Sequence, residues 1–171
     1  MLRWQASEVA ELLDTSVASV NSALQRARAT LDTTEITDTD PLQPLDDEQE
    51  ELLARYVDAF ERYDMESLTA LLAEDATQSM PPYNMWLAGR DDVLAWWSGP
   101  GIECSGSRLI PTVANGSPAF GQYRPSGPGG RHEAWALQVL ETKRGRVQEF
   151  TSFLNVDALF PLFDLPLKLE D

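Results

Sequence analysis

Polar side chains recur between Val17 and Leu31, among them Ser19, Asn21, Ser22, Gln25, Arg26 and Arg28. Asn and Gln amides pair with adenine edges, and Ser and Arg reach base edges or phosphates. The stretch carries no acid. Its other face repeats Val17, Val20, Leu24, Ala27 and Leu31 at steps of three or four, which makes one apolar stripe. The set is a candidate nucleic-acid reader. Spacing alone leaves a commoner reading open, two amphipathic helices packed as a hairpin.

The preceding residues must position that face. From Gln5 to Leu13, the residues Ala6, Val9, Ala10, Leu12 and Leu13 fall at helical spacing. Asp14-Thr15-Ser16 interrupts, and Ser16 is a good N-cap for the second helix. A short helix, a tight turn and a helix with a polar-basic face form a helix-turn-helix, whose second helix fits a major groove. Two helices without further support are marginal. The faces of Trp4, Val9, Leu13, Val20 and Leu24 are therefore expected to need cover from the rest of the chain or a neighbour.

The 171 residues include 28 acidic and 13 basic side chains, a formal charge of -15. That average argues against a nucleic-acid partner, since phosphates need Lys and Arg. It is unevenly spread. Residues 1–31 balance three Arg against three acids, whereas residues 32–51 carry nine acids and no Lys or Arg. The run from Asp32 to Asp47 has two prolines and few large apolar residues, too few to offset its ordering entropy. It is expected to be an extended acidic linker with Leu42 and Leu45 as docking points. The chain then divides into a helix pair over 1–31, the linker over 32–47 and a body over 48–171. The one Cys, Cys104, excludes an intrachain disulfide and a Cys-rich metal site. No apolar run reaches the ~20 residues of a membrane helix, and no signal peptide is visible. A cytoplasmic protein with no membrane partner is expected.

In the body, Leu52, Leu53, Tyr56, Val57, Phe60 and Tyr63 share one face of a helix over 46–63. A second helix starts at Asp64–Ser67 and buries Leu68, Leu71 and Leu72. A short strand then ends at Met80, and a third helix runs over Arg90–Trp97. After Gly101 the period changes to two. Strands are expected over Ser107–Ala114, Ala119–Arg124, His132–Thr142 and Arg146–Asn155, with turns at Ser126–Gly130 and Lys143–Gly145. A short helix follows around Val156–Phe163. On the long strand, Ala134, Ala136, Gln138 and Leu140 should face one way, and Glu133, Trp135, Leu137 and Val139 the other. Helices first and then antiparallel strands make an α+β body.

The string SEVAELLDTSVASVNSALQRARATL, Ser7 to Leu31, resembles the end of region 4 in extracytoplasmic-function sigma factors. There a helix ending in EVAELL is followed by a turn and a recognition helix with an S-x-L-x-RAR signature, which stands here as Ser22-Ala23-Leu24-Gln25-Arg26-Ala27-Arg28. The resemblance implies that the second helix reads the upstream promoter element. It places Ser19, Asn21, Ser22, Gln25, Arg26 and Arg28 at DNA-facing positions. Asn21 stands where many members carry Lys or Arg, so one phosphate contact is lost. Family members also begin with region 2, which binds core polymerase, whereas this chain starts inside region 4. The expectation is a C-terminal piece of a longer protein, binding promoter DNA weakly and reaching core RNA polymerase through regions not in this chain.

The strings LLARYVDAFERYDMESLTALLAEDA and VQEFTSFLNVDALFPLFDLP resemble the SnoaL-like domain of the nuclear-transport-factor-two-like superfamily, over roughly 48–166. A subgroup of the same sigma factors carries such a domain after region 4. The implied fold is a cone of curved antiparallel sheet and helices around a pocket. Some members are polyketide cyclases or ketosteroid isomerases, which use a carboxylate base beside an apolar pocket. By that resemblance the residues to weigh are Asp75, Tyr83, Trp86, Glu103, Gln122, Tyr123, His132, Glu133, Gln138 and Glu149. They yield no convergent acid–base pair, so no catalytic residue, metal ligand or cofactor is assigned. Cys104 lacks a nearby His and is no candidate nucleophile. Met80, Tyr83, Trp86, Trp96, Trp97 and Phe153 are the candidate lining of a small-molecule cavity, or else ordinary core aromatics. Superfamily members often dimerise through the open sheet face, so the resemblance also implies a homodimer. The expected function is promoter recognition with a regulatory SnoaL-like body. The alternatives are a cyclase- or isomerase-type enzyme and a non-catalytic ligand sensor.

Overall fold

The computed structural model describes residues 4–33 and 46–170. Most of the acidic segment over 32–47, including Leu42 and Leu45, lies outside the described residues. The chain divides into two compact units, Met1–Leu42 and Gln43–Asp171.

The first unit holds α1 (Ala6–Leu12) and α2 (Val17–Thr33). The Glu8 carboxylate accepts the Gln5 backbone N–H at 2.6 Å and closes the start of α1. Asp14 turns the chain with a left-handed φ of 47°, and the Thr15 N–H returns to the Ala10 carbonyl at 2.9 Å. Ser16 Oγ accepts the Ser19 N–H at 3.1 Å, so the expected cap forms. Ala10 is buried, whereas Trp4, Leu12, Leu13, Val17 and Leu24 stay exposed.

The second unit opens with α3 (Asp47–Glu61), which buries Leu52, Leu53, Tyr56, Ala59 and Phe60. Its start is closed reciprocally. Asp46 Oδ1 accepts the Gln49 N–H at 2.8 Å, and Gln49 Oε1 accepts the Asp46 N–H at 3.2 Å. Asp64 caps α4 (Met65–Leu71) through the Ser67 N–H at 3.1 Å. The chain passes straight into β1 (Leu72–Ser79), so Leu72 belongs to a strand rather than to the helix. Next come β2 (Trp86–Ala88), α5 (Arg90–Ser98) and a 3-10 turn over Pro100–Cys104. Then follow β3 (Arg108–Ala114), β4 (Ser117–Arg124), β5 (Glu133–Lys143), β6 (Arg146–Phe153), α6 (Val156–Leu159) and a last 3-10 turn over Phe160–Phe163. β2 escaped the sequence reading because three residues carry no period.

One six-stranded sheet results, in the order β2-β1-β6-β5-β4-β3. β1 runs parallel to β6, and the other pairs are antiparallel. The fold is the expected α+β arrangement of curved sheet and helices. Helices α3 to α5 cover one face, where Leu52, Tyr56, Phe60, Leu68, Trp97, Phe120, Leu140 and Phe150 form the larger core. On the opposite face Ala119, Tyr123 and Leu137 pack with Phe160 and Leu165 from the C-terminal segment.

The facing expected for β5 is correct from Ala136 onward and reversed at Ala134 and Trp135. Ala134 packs with Leu137 and Val139, and Trp135 packs with the helix-side core. The register slips because Gln122 pairs with Ala136 but Tyr123 pairs with Ala134. One extra residue on a strand reverses the alternation on its far side.

Candidate functional site

On α2 the six polar residues Ser19, Asn21, Ser22, Gln25, Arg26 and Arg28 are all exposed. At 3.6 residues per turn, Ser19, Ser22, Gln25 and Arg26 lie opposite the Val17–Leu24 stripe. Asn21 and Arg28 lie on its flank, each three or four residues from Leu24. The face is a continuous array of donors and acceptors, with Arg26 and Arg28 its cations. The Ser16 cap fixes where that helix begins.

Inside the body a second polar group assembles from α3, β4, β5 and the residue just before β3. The Tyr56 hydroxyl donates to Gln138 Oε1 at 3.0 Å. Gln138 Nε2 donates to Gln122 Oε1 at 2.7 Å, and Gln122 Nε2 donates to Ser107 Oγ at 3.1 Å. All four residues are buried. Amides suit such a relay because each carries both a donor and an acceptor. Burial pushes the Tyr56 phenol well above its ordinary value, with Cys104 adding to the rise. Burial likewise raises the Cys104 thiol. The group is neutral near pH 7, with no ionised base or nucleophile in it. Gln122 and Gln138 were visible in the sequence as amides inside apolar strands. Tyr56 and Ser107 were missed, although a phenol on a buried helix face needs a hydrogen-bond partner.

The charged candidates sit elsewhere. Glu103 is exposed and bonds Arg124 Nη2 at 2.8 Å, and the Arg124 guanidinium lies 4.1 Å over the Trp135 ring. Glu133 pairs with Lys168 at 3.0 Å. His132 Nε2 is 2.9 Å from the Gly106 carbonyl oxygen. Asp75 and Glu149 are exposed. Tyr123 is buried on the opposite face of the sheet, its hydroxyl without a partner, and burial pushes it up to about 12.

The six candidate lining residues are dispersed. Trp97 packs edge-on against Phe150 at 5.9 Å in the core, and Met80 is buried. Trp96 lies over Gly101, where a Cβ would meet its ring at 2.5 Å. Trp86, on the edge strand, is 67% exposed. Tyr83 and Phe153 do come together. With Pro81, Pro82, Leu154 and Leu159 they line an open groove of about 570 Å³ between the β1–β2 turn and α6. Among the described residues, no cluster of His, Cys, Asp or Glu is placed to hold a metal ion, and no helix is long and apolar enough to cross a membrane.

The profile of the SnoaL-like domain family matches residues 53–150. Over 172 aligned residues, 99% of this chain, the sequence is 39% identical to the ECF RNA polymerase sigma factor SigG of Mycobacterium tuberculosis. The aligned part is 46% of that relative, so the chain spans about half the length of the curated relatives it matches. Among solved structures, an NTF-2-like protein of unknown function from Burkholderia xenovorans aligns with a TM-score of 0.51 at 18% identity, over 61% of this chain and 80% of that one. A proposed ketosteroid isomerase from Kribbella flavida aligns with a TM-score of 0.50 at 24% identity, over 63% of this chain and 77% of that one. At those identities the two structures share the fold with this chain.

Proposed function

The chain belongs to the SnoaL-like domain family, and from that premise we propose that it serves transcription initiation as part of an extracytoplasmic-function sigma factor. In this reading α2 contacts promoter DNA through Ser19, Asn21, Ser22, Gln25, Arg26 and Arg28. The SnoaL-like body regulates sigma activity by docking on protein surfaces. Core RNA polymerase is engaged through parts of the longer protein outside this chain, and the place of action is the cytoplasm. The observation that carries the reading is the 39% identity to SigG along 99% of the chain, helix pair and body together. A family likeness confined to residues 53–150 would have left the helix pair unexplained.

The enzyme alternative draws on the Kribbella flavida neighbour, which shares the fold alone. A cyclase or isomerase needs a group that takes a proton near neutral pH. The buried relay offers a phenol, two amides and a hydroxyl, with the phenol driven further from ionising. A ligand sensor would use the Tyr83–Phe153 groove. The reading keeps the homodimer that the superfamily resemblance implies.

In vitro transcription decides among these readings. The full-length sigma factor should initiate differently with and without residues 48–171, and identical transcription from both would sink the regulatory role. Turnover of ketosteroid- or polyketide-like substrates that Asp75→Asn abolishes would favour the enzyme instead.

A further inference from the structure

Arg124 is the last residue of β4, two positions beyond the relay residue Gln122 and so on the same face of that strand. The slip between β4 and β5 falls beside it. Gln122 pairs with Ala136 and Tyr123 with Ala134, which leaves Trp135 as the extra residue. The bulge re-aims Trp135 to the helix side, where it packs on the larger core. The Arg124 guanidinium lies 4.1 Å over that ring, a contact that holds the cation without using its N–H groups.

Those N–H groups are sparsely used. The Arg124 side chain is 13% exposed, yet its carboxylate partner, Glu103, is 72% exposed and meets it through Nη2 at 2.8 Å. Nε is buried and has no hydrogen-bond partner among the described residues. Nε and Nη2 together make a fork that a carboxylate fills with both oxygens, and Glu103 uses one arm of it. An orphaned donor on a largely buried cation calls for a reason. Glu103 comes from the 3-10 turn over Pro100–Cys104. Tyr63 anchors that turn at Gly101, its hydroxyl 2.5 Å from the carbonyl oxygen. Burial pushes the Tyr63 phenol up to about 12, with Cys104 adding to the rise and Arg124 opposing it. Ile102, next to Glu103 on the turn, is exposed.

We propose that Arg124 and Trp135 form a binding site for a small aromatic monocarboxylate, and that Glu103 occupies it as a displaceable internal stand-in. The class follows from the groups present. The site already holds a carboxylate, but one tethered to a turn. A free ligand can take both Nε and Nη2. Trp135, Tyr63 and Ile102 supply apolar surface for a ring beside the charge. A small anion fits better than an acidic protein segment, which would bring many like charges against a chain of net charge -15. Ligand entry releases Glu103 and with it one of the anchors of the turn.

Titration of the ¹⁵N-labelled intact chain with phenylacetate, read at the Trp135 indole N–H, tests the site. The spectrum of Trp135→Phe assigns that resonance. Saturation is expected with a dissociation constant of about 1 mM or below, the range open to a fragment of about ten heavy atoms. Phenylacetamide lacks the charge and acetate lacks the ring, so each should bind about tenfold more weakly or worse. Glu103→Gln, a change at an exposed position, should tighten phenylacetate about tenfold by removing the competitor. Arg124→Lys keeps the charge without the fork and should weaken it about tenfold. Amide dispersion shows that each variant is folded, and Glu103→Gln decides the matter if Arg124→Lys is not. The proposal is overturned if phenylacetate does not saturate the resonance or if phenylacetamide binds equally well. An affinity that Glu103→Gln leaves unchanged or lowers overturns the stand-in. Tighter binding of a tetraglutamate peptide than of phenylacetate overturns the small-molecule class.

Discussion

Tyr56 on α3 and Gln138 on β5, 82 residues apart in sequence, meet in a 3.0 Å hydrogen bond inside the body. The bond joins the helix layer to the sheet and orients the Gln138 amide toward Gln122. A buried amide oxygen that loses its donor pays its full desolvation penalty, about 1–3 kcal/mol. Tyr56→Phe removes that donor and keeps the ring. It should lower unfolding stability by about that amount, measured by urea denaturation at constant slope. An unchanged midpoint would show that the relay adds nothing to the core.

Phe150 contacts both Trp97 and Tyr56, with ring centroids at 5.9 and 6.3 Å. Truncating a buried Phe to Ala removes its transfer free energy and leaves a cavity, typically about 3–5 kcal/mol. Phe150→Ala should therefore cost far more than Phe153→Ala, whose ring lies at the open groove. Denaturant midpoints of the two variants check the order. Equal losses would mean that the groove is as structural as the core.

Asp64 makes the stability of the body depend on acid. The Ser67 N–H and hydroxyl hold its carboxyl below the ordinary value, with Arg62 adding less. A depressed folded pKa stabilises above the unfolded carboxylate value of about 3.9 and is lost as pH falls through the folded one. Asp64→Ala should lower Tm by a few degrees at pH 7, and the gap should close toward pH 3. Thermal melts across that range test this, and a gap that widens in acid would reverse the assignment.

If α2 lies on DNA, Arg26 and Gln25 should act differently. Arg26→Ala should weaken binding about equally for all sequences and reduce the salt slope by about 1, the loss of one phosphate contact. Gln25→Ala should reduce preference among promoter sequences with little change in that slope. Fluorescence anisotropy against promoter and scrambled duplexes separates the two. Slopes unchanged by Arg26→Ala would remove α2 from the phosphate backbone.

Much of the fold was legible in the sequence because its local signals agree. The 3.6-residue apolar period marks α3, Ser16 announces a cap that forms, and Asp46 and Asp64 stand at helix starts that the structure caps. The Lys143-Arg144-Gly145 turn separates two alternating runs that become β5 and β6. β2 was not legible, because Trp86–Ala88 is shorter than any period. The phase of β5 was misjudged at Ala134 and Trp135, because a one-residue slip against β4 leaves no mark in β5 itself.

The sequence by itself determined every element with a full period, the polar face of α2 and the amides Gln122 and Gln138 in otherwise apolar strands. Those features follow from periodicity, capping and composition, which act over a few residues. Tertiary structure alone decided that Tyr56 and Ser107 complete a buried neutral relay. It alone separated Trp96, Trp97 and Trp86 while bringing Tyr83 and Phe153 to one groove. It also laid Phe160 and Leu165 over Tyr123 and Gly121. These outcomes depend on strand order and register, which join residues far apart in the chain through packing that no local pattern encodes.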